Sequence, residues 1–321
     1  MPPLKYLAPL LALGLMACSS NYNNDLFEED GLYTAALPTA NQVEVQEAGS
    51  YGRTSVDCTQ GDLHRTTQQV MHSVDSRLAF AVDLVEAMTS GQISARGENF
   101  RRWGPLFHRG SGLWMTLTVE RREVREGDQL FWRYFYWHEI SFEESGPFET
   151  WLWGEWDPAY SMEHGEGALS IDYDLGATYY PEIGSLGFVD ITYSTIDDRA
   201  VEGVYLDRRP ADTPAGEGDD IEFAFVETTT GEGWFDYDGR DDFANSATDV
   251  RETLSITSRW LANGAGRAEG WLWDGDFGLT AISLVECWDS MGCNVYAHDN
   301  NPYTEMVGDP AMCVISDVDL P

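Results

Sequence analysis

From Gly112 onward the chain settles into a two-residue rhythm, and that rhythm limits its folds more than any other feature. In Leu254-Ser255-Ile256-Thr257 and Ile221-Glu222-Phe223-Ala224-Phe225 every second residue is apolar. This is the pattern of a strand with one dry and one wet face. Strands are expected at 113–123, 129–142, 148–156, 167–174, 187–194, 200–207, 220–228, 232–238, 251–260, 267–274, 279–288 and 293–298. The links between them are short and rich in turn residues, as in Arg125-Glu126-Gly127-Asp128, Glu144-Ser145-Gly146-Pro147, Thr229-Thr230-Gly231 and Asn263-Gly264-Ala265-Gly266. Short links make hairpins, so the strands should form one antiparallel meander. A long meander must manage its edges. The expected fold is therefore mainly β, an open or closed soluble barrel. Charges on the wet faces argue against a transmembrane barrel, whose strands need lipid-facing apolar rows.

One amphipathic helix is predicted, over 64–89. Val70, Val74, Leu78, Ala81, Val85 and Met88 recur at spacings of three and four, which places them on one face. Asp62 is the expected cap and Gly91 the expected stop. A single apolar stripe requires a partner surface, so the helix should pack on the sheet. A weak irregular repeat also runs through the strands: Gly165-Glu166-Gly167, Gly231-Glu232-Gly233 and Gly266-Arg267-Ala268-Glu269-Gly270 each precede a strand with bulky side chains and an acidic end.

The N-terminus has the three regions of an export signal. Lys5 is its only charge, Tyr6 to Met16 is apolar, and Leu15-Met16-Ala17-Cys18 follows. The apolar stretch is shorter than the ~20 residues a membrane-spanning helix needs and has the length of a signal h-region. The cysteine behind a small residue, with a leucine three places back, resembles the lipobox of bacterial lipoproteins. That resemblance implies cleavage of residues 1–17, lipidation of Cys18 and, from Ser19 at the next position, sorting to the outer membrane. Two or more acyl chains would anchor the protein stably. Residues 18–50 read as a polar tether on which Leu32-Tyr33, Val43 and Val45 could dock, and residues 51–321 as a single domain. On this reading the lipid fixes location and leaves orientation free.

Composition narrows the partners. The formal charge is −36, and Lys5 is the only lysine. Such a chain repels phosphates and is not expected to bind nucleic acid. Acidic, lysine-poor surfaces keep a protein soluble in high salt. Besides Cys18 there are Cys58, Cys287, Cys293 and Cys313. An even set in an exported chain reads as two disulfides, with three pairings open. In every pairing Cys58 bonds to the C-terminal region and ties the start of the domain to its end. No CxxC or close histidine pair supports zinc.

No HExxH, GxSxG, Walker A or GxGxxG sequence is present, so the expectation is a non-catalytic protein. Glu149 and Glu155 could be imagined as a glycosidase pair, but they are two among 55 acidic residues. Asp236, Asp238, Asp241 and Asp242 surround Gly239 in a run with the composition of a calcium loop. The run lacks the terminal glutamate of the full motif, and a solvated hairpin turn explains it more simply. No other cofactor is expected. Twelve tryptophans are present. Trp132, Trp151, Trp153, Trp234, Trp271 and Trp273 are the aromatics expected to face a ligand, either stacking on sugars or lining an apolar pocket.

Arg102-Trp103-Gly104-Pro105, Glu286-Cys287-Trp288-Asp289 and Asp309-Pro310-Ala311-Met312-Cys313 resemble segments of bacterial envelope lipoproteins of all-β type, over roughly residues 95–315. That resemblance implies no activity. In shape alone, a helix on a large antiparallel sheet resembles lipoprotein carriers of the LolA and LolB type. The leading expectation is a lipid-anchored envelope protein binding an apolar ligand or envelope component through its barrel mouth. A surface glycan-binding module and a hydrolase are the other classes.

Overall fold

The computed structural model describes residues 22–46, 58–127, 129–180, 185–241, 251–274, 281–300 and 306–316. The leader, Cys18, Ser19 and Asp242 lie outside them. All described strands belong to one antiparallel sheet whose spatial order is its sequence order. In chain order these are β1 (Ile93–Arg96), β2 (Phe100–His108), β3 (Leu113–Glu126), β4 (Gln129–Ser141) and β5 (Glu149–Ser161). Then come β6 (His164–Asp172), β7 (Ser185–Ser194), β8 (Arg199–Pro210), β9 (Asp219–Glu227) and β10 (Gly233–Asp241). The last are β11 (Glu252–Trp260), β12 (Gly266–Trp273), β13 (Ala281–Trp288), β14 (Asn294–Asp299) and β15 (Val307–Gly308).

The sheet is open, because β1 and β15 are its edges and do not pair with each other. Four and two residues long, they leave little unpaired backbone for another chain to join. The expected meander is therefore present as an open sheet and not as a closed barrel. The calcium-like run is also not a turn: Asp236 and Asp238 sit within β10.

The sheet curls around α3 (Asp62–Thr89). One end of α3 packs on β12 and β13 and the other on β2 and β3. Eleven strand steps separate β2 from β13, roughly 53 Å along a flat sheet, whereas a helix of 28 residues is about 42 Å long. Touching both with one straight helix bends the sheet, and α3 lies across its concave face as a chord. Leu63, Met71, Val74, Leu78, Ala81, Val82, Val85 and Met88 are buried along the helix. Leu117, Tyr136, Trp156, Ile171, Ile191 and Phe225 are buried on the sheet.

Glycines let the concave face close this tightly. Gly154, Gly167, Gly203, Gly233 and Gly266 lie directly opposite Tyr136, Tyr193, Phe223, Trp260 and Trp288. A Cβ at any of them would come within 2.1–2.4 Å of its aromatic partner. Each ring lies over the bare backbone of the next strand, pairing large with small along the inner wall of a curved sheet. This explains the glycine repeat: Gly167, Gly233 and Gly266 are members of it.

The segment expected as a tether is largely structured. Residues 22–46 hold α1 (Tyr22–Ala35) and α2 (Ala40–Val43), and Tyr33, Val43 and Val45 are fully buried, while Leu32 is partly exposed. Polar groups add to this docking. Asp30 accepts from Arg101 Nε at 2.5 Å and Arg96 Nη2 at 2.9 Å, and Glu29 pairs with Arg101 and Arg121 at 3.1 Å. Val45 N–H donates to Asp75 Oδ1 of α3 at 2.6 Å. A second short helix, α4 (Tyr173–Tyr179), follows β6. Cys58 bonds to Cys293 and Cys287 to Cys313. The first of these ties the start of α3 to the C-terminal strands, as expected.

Candidate functional site

The start of α3 is fixed from the far end of the chain. Asp62 is the first helical residue and Gly61 the cap position, with no side-chain cap of its own. The capping group is Glu286 of β13, whose Oε2 accepts from Leu63 N–H at 2.8 Å and His64 N–H at 3.0 Å. A carboxylate there satisfies orphan amides and opposes the positive end of the helix dipole. Burial pushes the Glu286 carboxyl above the usual range, against the pull of the His64, Leu63 and Asp62 amides. His64 stacks on Trp288 with ring centroids 4.0 Å apart.

One turn further on, the helix and sheet stop touching fully and enclose a cavity of about 190 Å³. Its helix wall is formed by Val70, Val74 and Leu78 together with Thr66, Gln69, Ser73 and Arg77. The second group is a polar stripe on the edge of α3, and its two short side chains, Thr66 and Ser73, leave space beside them. The sheet wall is Val189, Ile221 and Phe223, with Tyr205, Arg208 and Tyr237. Gln69 is exposed and Thr66, Val70 and Ser73 are half-buried, so the cavity reaches solvent along this edge of α3.

A bulge sets the chemistry of one end. Inward-facing residues of β8 alternate as Val201, Gly203 and Tyr205, but the register shifts between Tyr205 and Arg208. Asp207 lies there at φ +52°, a conformation that few non-glycine residues adopt. Its carboxylate accepts from Gly216 N–H at 2.8 Å and Gly218 N–H at 2.7 Å, which stabilises the bulge. The shift brings Arg208 to the cavity wall. Arg209 is held by Asp174, both of whose carboxylate oxygens accept from Arg209 Nη2 at 2.8 Å.

Arg77 enters from the helix. Its guanidinium lies 5.4 Å from the Tyr205 ring centroid, and Tyr173 Oη donates to its backbone carbonyl at 2.9 Å. Tyr173 stacks on Tyr205 with centroids 5.7 Å apart. Burial lowers the Arg77 pKa, and the nearby Arg208 charge lowers it further. Burial pushes Tyr205 up to about 12. The Tyr205 hydroxyl is buried without a hydrogen-bond partner among the described residues.

None of the six tryptophans expected at a ligand lines this cavity. Trp151 is in the core, donating its indole N–H to His138. Trp132 stacks against Arg121, 4.7 Å from ring to guanidinium, beside α1. Trp153 is partly exposed, 5.6 Å from Phe188. Trp234 is nearly buried and Trp271 is exposed, while Trp273 is intermediate. Trp153 on β5 and Trp271 on β12 are seven strand steps apart, so these rings do not make one stacking platform. The cavity instead uses tyrosine and phenylalanine from β8, β9 and β10.

Asp236 accepts from Thr257 Oγ1 at 2.8 Å, and Asp238 lies opposite Glu222. Burial pushes the Asp238 carboxyl up, as do the nearby Glu222 and Asp236 charges. The Asp241 side chain is outside the described residues, among which no group of three or more histidine, cysteine or acidic side chains is placed to hold a metal ion. Glu149 accepts from Tyr179 Oη, and Glu155 is 4.0 Å from Arg133. Six residues apart on β5, they are separated by roughly 20 Å, beyond the ~5–10 Å of a glycosidase pair. No protein family, characterised protein or solved structure matches this chain.

Proposed function

We propose that this protein is a lipid-anchored, non-catalytic envelope protein that binds an apolar ligand beneath α3. The observation that carries the reading is the cavity itself. Its walls include Val70, Val74, Leu78, Val189, Ile221 and Phe223. A preformed concave space with apolar walls and a few convergent polar groups is the usual form of a small-molecule site. The anchor follows from the lipobox residues ending at Cys18, and Ser19 favours the outer membrane. Among the described residues no helix is long and apolar enough to cross a membrane.

The site lies under a helix on an open sheet and not in a barrel mouth, which changes how a ligand would enter. Access runs along the edge of α3 past Gln69. Native mass spectrometry of the full chain, released from mild non-ionic micelles, tests this reading. Wild type should retain a small apolar molecule or take up an added alkyl ligand, and Ile221→Trp, which fills the cavity, should not. A bare wild-type mass with no uptake would overturn the reading.

A further inference from the structure

We propose that the cavity beneath α3 holds the anionic head of a single-chain amphiphile, a carboxylate or phosphate oxyanion bound by Arg77 and the Tyr205 hydroxyl, with the adjoining carbons of its tail against Ile221 and Phe223. This rests on the reading that the cavity takes an apolar ligand, and adds which end of that ligand is recognised and by what.

Charge pairing makes the argument. Acidic residues outnumber arginine and lysine 55 to 19, so partners for arginine are plentiful. Arg96, Arg101, Arg133, Arg199, Arg209 and Arg267 each have a carboxylate oxygen within 2.9 Å. Arg77 has no carboxylate partner among the described residues. Asp174, next in sequence to Tyr173, pairs with Arg209, and Asp75, two residues before Arg77 on α3, accepts from the Val45 amide. Instead Arg77 lies over the Tyr205 ring in an apolar cavity, where Arg208 also lines the wall. Arg77 is half-buried, and a cation partly withdrawn from water without a counter-charge is disfavoured. Contact with the face of an aromatic ring offsets only part of this.

Tyr205 is the second, independent observation. It is 4 % exposed, and its hydroxyl has no partner among the described residues. A buried donor left unsatisfied is destabilising, and among the described residues whose buried polar atoms lack a partner, Tyr205 is the one that lines this cavity. An oxyanion would answer both defects, accepting from the guanidinium and from the phenol. The cavity, at about 190 Å³, is smaller than the ~300 Å³ lower end of common ligand pockets. It therefore suits a head group and its first carbons, the rest of the tail leaving along the edge of α3. The net negative charge of the protein does not forbid this, since exposed charges are screened beyond ~8 Å at physiological salt while buried pairs are not.

The test is calorimetric titration of the full chain, held in a non-ionic amphipol, with decanoate, decyl phosphate, decanol and inorganic phosphate. Charge-assisted hydrogen bonds of ~1.5–3 kcal/mol predict that the two alkyl anions bind roughly ten- to a hundredfold more tightly than decanol. Arg77→Gln should remove most of that preference and leave decanol within twofold. Tyr205→Phe, which keeps the ring and removes the unsatisfied hydroxyl, should weaken both anions several-fold while leaving the melting temperature of the ligand-free protein equal or higher. Preference for decanoate would mark a free fatty acid, and preference for decyl phosphate a lipid phosphate head. Decanol binding as tightly as decanoate, or inorganic phosphate as tightly as decyl phosphate, would overturn the proposal and leave an apolar site standing. Failure of all three alkyl ligands would overturn both readings.

Discussion

Removing Glu286 tests whether α3 is held in place from the far end of the chain. Glu286→Ala leaves the amides of Leu63 and His64, now bonded at 2.8 and 3.0 Å, without an acceptor in a buried position. Two such donors cost about 1–3 kcal/mol each, and losing the negative charge at the helix start costs up to ~2 kcal/mol more. Relief from burying a carboxylate offsets part of this, so the net expectation is roughly 3–4 kcal/mol, or about 5 °C in melting temperature for a chain of this size. Glu286→Gln keeps an acceptor oxygen and should cost about 1 kcal/mol. The pH dependence has a definite sign. Burial raises the carboxyl above its ordinary value, so the folded protein binds the proton more tightly than the unfolded chain. Its contribution to stability is greatest at low pH and falls as pH rises through that window. Glu286→Gln should therefore be less costly near neutrality than in mild acid. Urea unfolding followed by tryptophan fluorescence gives the free energies, and hydrogen exchange at Leu63 and His64 locates the loss. Gly61→Ala is a second route to the same defect, because its Cβ would lie 2.2 Å from Glu286 Oε2. If Glu286→Ala cost under 1 kcal/mol, or no more than Glu286→Gln, the capping argument would be wrong.

Two further outcomes follow from the packing. Burial pushes Asp75 from 3.8 to about 6, with Glu44 adding to the rise and Arg199 and His72 opposing it. Wild type should lose roughly 2 kcal/mol between mild acid and neutrality that Asp75→Asn retains; parallel melting curves for the two proteins would refute this. Gly233→Ala places a Cβ 2.1 Å from Trp260 and should destabilise by about 1–3 kcal/mol with altered tryptophan emission. Gly31→Ala, with nothing within 4 Å in α1, should be neutral or stabilising by up to ~1 kcal/mol, and equal losses in both would contradict the close-approach account.

The twelve strands expected beyond Gly112 are all present because one face of the sheet is wet. β11 shows it most plainly, its residues alternating between buried and half-buried along the whole strand. β1 and β2 did not declare themselves for a related reason. Arg101 occupies an inward position, 2 % exposed, satisfied by Asp30 from 71 residues earlier, and Gly104-Pro105 interrupts the register. A buried charge reads as a wet position until its partner is known. α1 was hidden in the same way, since Asp30 and Glu29 dock it alongside the single buried ring of Tyr33 and no repeating apolar stripe marks it. At the site, Val70, Val74 and Leu78 were legible as a helix face. The tyrosines were not, because the bulge at Asp207 and the missing counter-charge of Arg77 are facts of three-dimensional neighbourhood. The same holds for the cysteines, whose even number was readable and whose pairing was not.

The docking of α1 also shortens the leash. Between Cys18 and Tyr22 the chain can span at most about 14 Å when fully extended. A lipid on Cys18 would thus hold the protein close against the bilayer, with little room to swing or roll. The end of the molecule that carries the start of α1 would face the lipid, and a partner would have to come from the water or slide in along the membrane plane.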